Sequence, residues 1–435
     1  MKKYKMLVSI VLIVITSLSV YQLFSENLKQ IEEYNENLNK ARYCAEVGIV
    51  DAANYYEAAL KIKKSINVYV EYANFYISQG YYSEAENIAE KMSSDFPGNS
   101  ESYDLLMTIY ETNNDYTNLF QIYDETQSKK IHSASIDEIY HNNEFVYYTN
   151  GKKYINVKSI LNGYYAVCND KGYWGYTNST GSVQIGCQYD YAGVFSSEMA
   201  SVRNQEGELY YINEDNGKKF VFDTDESYDY LGQVVDDIYV VGNDGTYAYY
   251  NTSFEKVFGD YEYAGTFNCG IAAIKKDGSW MLINKSGKEI SDKYDKILMD
   301  DSDIACKNNR VIAIKDGIYY ILDEKGEIIK KTDFEDVSFI GADTLIAFKK
   351  SDLWGFCDEN GEIIIEPEYN GARSFSNGLA AVCKNNKWGY IDNNSEVVID
   401  YTFTAANDFN SVGCAYVSDD SDSWYMIKLY KYNHG

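Results

Sequence analysis

One stretch recurs along this chain, and the recurrence limits what it can fold into. Counting from Trp354, Tyr369 lies 15 residues on, Phe375 21, Ala380 26 and Val382 28. Counting from Trp174, Tyr189, Phe195, Ala200 and Val202 fall at the same offsets, 180 residues upstream. Looser copies start at Tyr210, Tyr247, Trp280, Tyr319, Trp388 and Trp424, with a spacing of about 36 residues. A fixed period of this size means that one unit cannot bury its apolar face alone and must stack on its neighbours.

Each unit reads as three short strands. Leu379–Val382 is apolar, Asn385-Asn386 is a turn, Trp388–Ile391 is a second arm, Asn393-Asn394 turns again, and Val397–Ile399 is a third strand. Asp277-Gly278 supplies the positive φ of a tight hairpin between Phe267–Ile274 and Trp280–Ile283. No helical period is evident beyond about residue 150.

Trp174-Gly175, Trp354-Gly355 and Trp388-Gly389, each followed by an aromatic, together with Tyr-x-x-Ala-x-x-Phe and Gly-Leu-Ala-x-Val, resemble the WG-repeat family of bacterial proteins over residues 145–432. The resemblance implies a repetitive all-β array and brings no catalytic residues with it. The expected fold of this region is a β-propeller of seven or eight units, with an open β-array as the alternative. Residues 145–157 are placed to complete the last unit near Trp424 and close a ring. The tryptophans Trp174, Trp280, Trp354, Trp388 and Trp424 read as structural fillers between units. The glycine after Trp reads as a point of close backbone approach.

The period is helical between residues 26 and 130. Tyr69, Ala73, Tyr76, Gly80, Ala85, Ala89, Met92 and Pro97 resemble a tetratricopeptide repeat, and Tyr103, Met107, Tyr110, Leu119 and Tyr123 follow as a second copy. Tyr43, Ala52, Tyr56 and Ala59 suggest a first. Small residues at 85 and 89 allow two antiparallel helices to close. The resemblance implies a concave groove that holds a peptide, with Asn67, Asn74, Asp104 and Glu111 on its wall. The alternative is a solvated face on a spacer. Residues 131–144 break both periods and read as a linker.

Lys2, Lys3 and Lys5 precede the uncharged run Met6–Phe24, about 28 Å long as a helix. The expectation is a single-pass membrane anchor with the N-terminus cytoplasmic and the bulk outside the membrane, or a signal segment cleaved on secretion.

Three histidines leave almost no material for His-dependent catalysis or zinc, and no phosphate-binding loop occurs. No catalytic, cofactor or metal residue is assigned. Asp300-Asp301-Asp303 and Asp419-Asp420-Asp422 read as solvated hairpin tips rather than calcium loops. The eight cysteines show no CxxC pair. A formal charge of −27 argues against nucleic acid as a partner. The function expected is a non-enzymatic binding or scaffold protein with a protein partner. A cell-wall glycan-binding module is the alternative, and a polysaccharide hydrolase the remote one.

Overall fold

A computed structural model describes residues 2–220, 228–420 and 422–432, with the side chains of residues 2–14 and of Phe220 outside that description. The described residues divide into two compact units, 2–144 and Phe145–Tyr432.

The first unit is helical: α1 (Lys2–Glu46), α2 (Ala52–Ile62), α3 (Ile66–Ser78), α4 (Tyr82–Asp95), α5 (Ser100–Thr112), α6 (Tyr116–Lys129) and α7 (Ala134–Asn143). Ala73, Ala85 and Ala89 are fully buried, so α3 and α4 approach closely as a hairpin. Gly80 turns between them with φ +74. The side chains of Asn99, Asp115 and Ser133 accept from backbone N–H groups at the starts of α5, α6 and α7.

Two expectations fail here. Residues 131–144 are not a linker. They carry α7, which Ser133 caps and which buries Ile136 and Ile139. The membrane anchor is also overturned: among the described residues, no helix is long and apolar enough to cross a membrane. The apolar run forms no separate span but merges into α1, and Glu26, Lys29, Glu32 and Glu33 follow it in the same helix. The single-pass localisation built on it falls with it.

The second unit is an eight-bladed β-propeller, not an open array. Each blade is one antiparallel sheet. Blade 7 is typical: Gly371–Ala372, Leu379–Lys384, Lys387–Asp392 and Val397–Phe403 pair in that order. The three strands expected per unit are therefore four, because the Tyr-x-x-Ala motif forms a two-residue first strand too short to read from alternation. Blade 4 alone has three named strands, Tyr263–Ala264, Ile271–Lys276 and Ser279–Asn284. Blade 8 closes the ring. Its fourth strand is Tyr147–Tyr154 from the start of the unit, paired along Trp424–Leu429 with Tyr154 opposite Trp424. Asn410 of blade 8 also donates to Tyr165 Oη at 3.1 Å and to the Ser179 carbonyl at 2.8 Å, both in blade 1.

A tyrosine ties consecutive blades together. Tyr176, Tyr211, Tyr249 and Tyr390 lie on third strands, and each donates its hydroxyl to a carbonyl at the first strand of the next blade. The acceptors are Gly193, Gly232, Gly265 and Asn407, at 2.8, 2.6, 2.7 and 2.7 Å. Burial holds all four phenols far above their ordinary pKa, so each stays a donor at any physiological pH. Blade 6 has Phe356 at this position, which packs edge-on to Phe375 as Tyr176 and Tyr390 pack on Phe195 and Phe409, without the hydroxyl bond.

Candidate binding surface at the propeller axis

The short first strands lead into the turns that surround one end of the propeller axis. In blade 7 six residues, 373–378, join the first strand to the second. In blade 5 twelve do, 298–309. The additional length crosses the ring. Asp301 accepts from the Ser159 amide of blade 1 at 2.7 Å, although the two blades stand opposite each other in the ring. Asp303 accepts from the hydroxyls of Tyr230 in blade 3 and Tyr263 in blade 4. The Ser302 carbonyl accepts from Gln233 and from Thr266. This segment therefore plugs the axis and bonds to blades 1, 3 and 4.

Above the plug lies a recess of about 450 Å³, continuous with a smaller one of about 190 Å³ through shared walls at Ser159, Lys307, Gly341, Arg373 and Asp408. Two ion pairs stand in these walls. Arg373 meets Asp408 in two hydrogen bonds of 2.6 and 3.0 Å, and about a third of each side chain remains exposed. The Asp408 carboxylate holds the Arg373 guanidinium above its ordinary pKa. Lys307 pairs with Asp300 at 2.7 Å. Phe339, 45% exposed, stands at the edge of the smaller recess. Deeper, Lys158 donates to the Ala192 carbonyl at 2.8 Å with its ammonium over the rings of Trp174 and Tyr191. Burial lowers its pKa, and Asp301 and Asp303 offset part of that.

Asp300, Asp301 and Asp303 are thus not a solvated hairpin tip. They form the plug because the first-to-second strand turn of blade 5 points to the axis. Asp419-Asp420-Asp422 is such a tip, and Asp420 accepts there from the amides of Asp422 and Ser423. Among the described residues, no group of three or more His, Cys, Asp or Glu is placed to hold a metal ion.

The helical candidates divide. Asn67 and Asn74 on α3 are exposed. Asp104 and Glu111 on α5 are not free groove residues: Asp104 accepts from the Ser133 hydroxyl and Glu111 from Asn143 at 2.7 Å, so both hold α7. The chain folds back onto α5 where a ligand wall was expected. The five tryptophans Trp174, Trp280, Trp354, Trp388 and Trp424 are half-buried, each packed against an apolar cluster that its blade shares with the next.

Sequence reasoning missed the axial residues. A signal was there: Arg373 and Asn407 directly follow the repeated Ala372 and Ala406, so the position after that alanine supplies the wall of the recess.

No curated protein matches the sequence. Among solved structures, BamB from Moraxella catarrhalis aligns at TM-score 0.44 and 11% identity, over 65% of this chain and 100% of its own. Kluyveromyces lactis Hsv2p aligns at 0.38 and 8%, over 56% and 95%. The Sgt2 TPR domain from Aspergillus fumigatus aligns at 0.22 and 18%, over 25% and 76%. Likeness at this level says nothing about function. The family comparison does not show tetratricopeptide repeats in the helical unit. The family model described as "WG containing repeat" matches residues 174–207, 247–280, 280–306, 354–388 and 388–421, all within the ring, so these segments of the propeller are WG containing repeats.

Proposed function

We propose that this protein is a non-enzymatic interaction scaffold whose propeller receives a polypeptide segment of a protein partner at the axial recess. The observation that carries the reading is the composition of that recess: a half-open hollow of about 450 Å³ above a closed axis, walled by Asn and Ser side chains together with Ile160, Leu161, Tyr165 and Phe409. The partly exposed Arg373–Asp408 pair and Phe339 stand beside it. Amide and charged groups beside one exposed ring suit a peptide backbone and its side chains.

The glycan reading lacks support from the aromatics. A sugar-binding face lines up exposed rings, whereas the large aromatics exposed on the described propeller are Phe254, Phe339 and Tyr432, which sit apart in blade 3, in blade 6 and at the chain end.

The test is selection of a displayed random-peptide library on the full chain, with Phe339→Ala and Asp408→Ala as counter-targets and purified cell-wall sacculi as a parallel pelleting assay. Peptides whose binding falls tenfold or more on both variants support the axial site. Binding indifferent to both variants, or pelleting with sacculi in the absence of peptide enrichment, overturns it.

A further inference from the structure

The segment between the first and second strands ends in a two-residue hairpin in six blades. It is closed by Leu161–Tyr164, Ser196–Met199, Val235–Ile238, Asn268–Ile271, Lys307–Arg310 and Ser376–Leu379. Its first central residue has positive φ in every case: Asn162, Ser197, Asp236, Asn308 and Asn377 in five blades, and Cys269, at φ +50, in blade 4. Asn and Asp suit this left-handed conformation because their short polar side chains bond the local backbone. A cysteine gains nothing there from turn chemistry.

A second departure lies in blade 5. Two residues before the positive-φ position, Phe195, Phe267 and Phe375 pack against the preceding blade, Ile160 and Val234 stand there in blades 1 and 3, and blade 5 has Cys306. The two departures meet. Asn268 Nδ2 donates to the Cys306 carbonyl at 2.8 Å, and Cys269 Sγ lies 3.7 Å from the same oxygen. The Thr266 amide donates to the Asp303 carbonyl at 2.8 Å, and Thr266 pairs with Ile304, so the backbones that carry both cysteines are already joined. The Cys269 sulfur thus lies against the residue it would bond, and rotation of the two side chains between staggered positions is the movement left to make.

We propose that Cys269 and Cys306 form an oxidisable pair whose disulfide locks the axial plug to blade 4. Cys269 is partly exposed and Cys306 is 1% exposed, so reaction begins at Cys269. The oxidant is a small-molecule disulfide. The Cys269 thiolate attacks one of its sulfurs, and one thiolate leaves. The Cys306 sulfur then attacks the mixed disulfide at Cys269, and its proton goes to the second departing thiolate. The protein loses two thiols and gains one S–S bond, while the reagent disulfide is reduced to two thiols. Burial and the neighbouring thiol both raise the Cys306 pKa, which makes Cys306 the resolving sulfur rather than the first to react.

The full chain, folded, is incubated with oxidised glutathione, its thiols are counted, and its peptides are mapped by mass spectrometry. Two of the eight thiols disappear, one crosslinked peptide joins 269 to 306, and the thermal midpoint rises. Cys269→Ser, a residue that blade 2 already carries at this position as Ser197, keeps the fold and leaves Cys306 unmodified. A glutathione adduct that persists on Cys269 with Cys306 still alkylated after unfolding overturns the proposal. So does a crosslink between any other two cysteines, or a folded chain that retains all its thiols.

Discussion

Blades 7 and 4 start from similar sequence and end differently, and one residue marks the difference. In blade 7 Gly389 follows Trp388. The fourth strand, Val397–Phe403, runs seven residues with a bulge: Trp388 pairs with Phe403 and Tyr390 with Ile399, so two steps on one strand meet four on the other. The bulge folds over Gly389, where a Cβ would stand 2.5 Å from the Ile399 carbonyl oxygen. Gly175 and Gly355 meet the Ile185 and Ile365 oxygens at the same 2.5 Å. Blade 4 has Met281 after Trp280, and its outer segment forms no named strand but pairs at the isolated positions Trp280–Tyr294 and Ile283–Glu289. Blade 3 reaches the bulge by another route. Ala248 follows Tyr247, and the glycine is on the facing strand as Gly259, opposite Ala248. The close approach needs one missing side chain, on either strand.

The comparison breaks most visibly at that glycine. Gly389→Ala pushes a methyl into a main-chain oxygen and is expected to cost about 2–3 kcal/mol in urea unfolding of the full chain. Gly186→Ala, where a Cβ meets open space, is expected to stay within about 0.5 kcal/mol. Equal costs at the two sites would mean that the bulge does not require the glycine.

The next largest effect separates the plugged blade from the regular ones. Asp303→Ala strips the acceptor from the Tyr230 and Tyr263 hydroxyls, and a loss of about 2 kcal/mol is expected in the same unfolding curve. Asp303→Asn, which keeps one acceptor oxygen, is expected to recover about half of it. Tyr390→Phe gives blade 7 the ring that blade 6 already has at Phe356. It removes one hydroxyl bond to Asn407, a loss of about 1 kcal/mol.

The smallest effect is a pH dependence confined to the helical unit. Lys64 and then Tyr69 hydrogen-bond Asp95 and hold its carboxyl below the ordinary range. A lowered folded-state value contributes stability above the unfolded carboxyl pKa, about 3.9, and that stability is lost as pH falls through the folded value. Helical circular dichroism followed below about pH 4 is expected to show this loss, and Lys64→Ala to reduce it.

Much of this architecture could be read from particular residues. The offsets from Trp174 and Trp354 gave the period, and residues 145–157 beside Trp424 gave the closing strand. The aromatic after each Trp-Gly was visible, but its hydroxyl bond to the next blade was not, because the acceptor is a backbone carbonyl with no sequence signature. That Asp104 and Glu111 bond to α7 was not legible, because nothing local in residues 131–144 announces that a helix returns to α5. The apolar run before Phe24 was misread because hydropathy sees composition and not the charged turns that follow in the same helix.

The sequence by itself determined the repeat, the all-β character beyond residue 145, the small residues that let strands and helices close, and the turns. These are local matters of side-chain size, alternation and permitted φ. Only the tertiary structure decided that a twelve-residue turn of blade 5 crosses the axis, that Asp301 meets Ser159 142 residues away, and that Cys269 faces Cys306. Those contacts exist because the ring closes. Closure brings together segments that no local pattern relates, and the axis is where segments from the most distant blades converge.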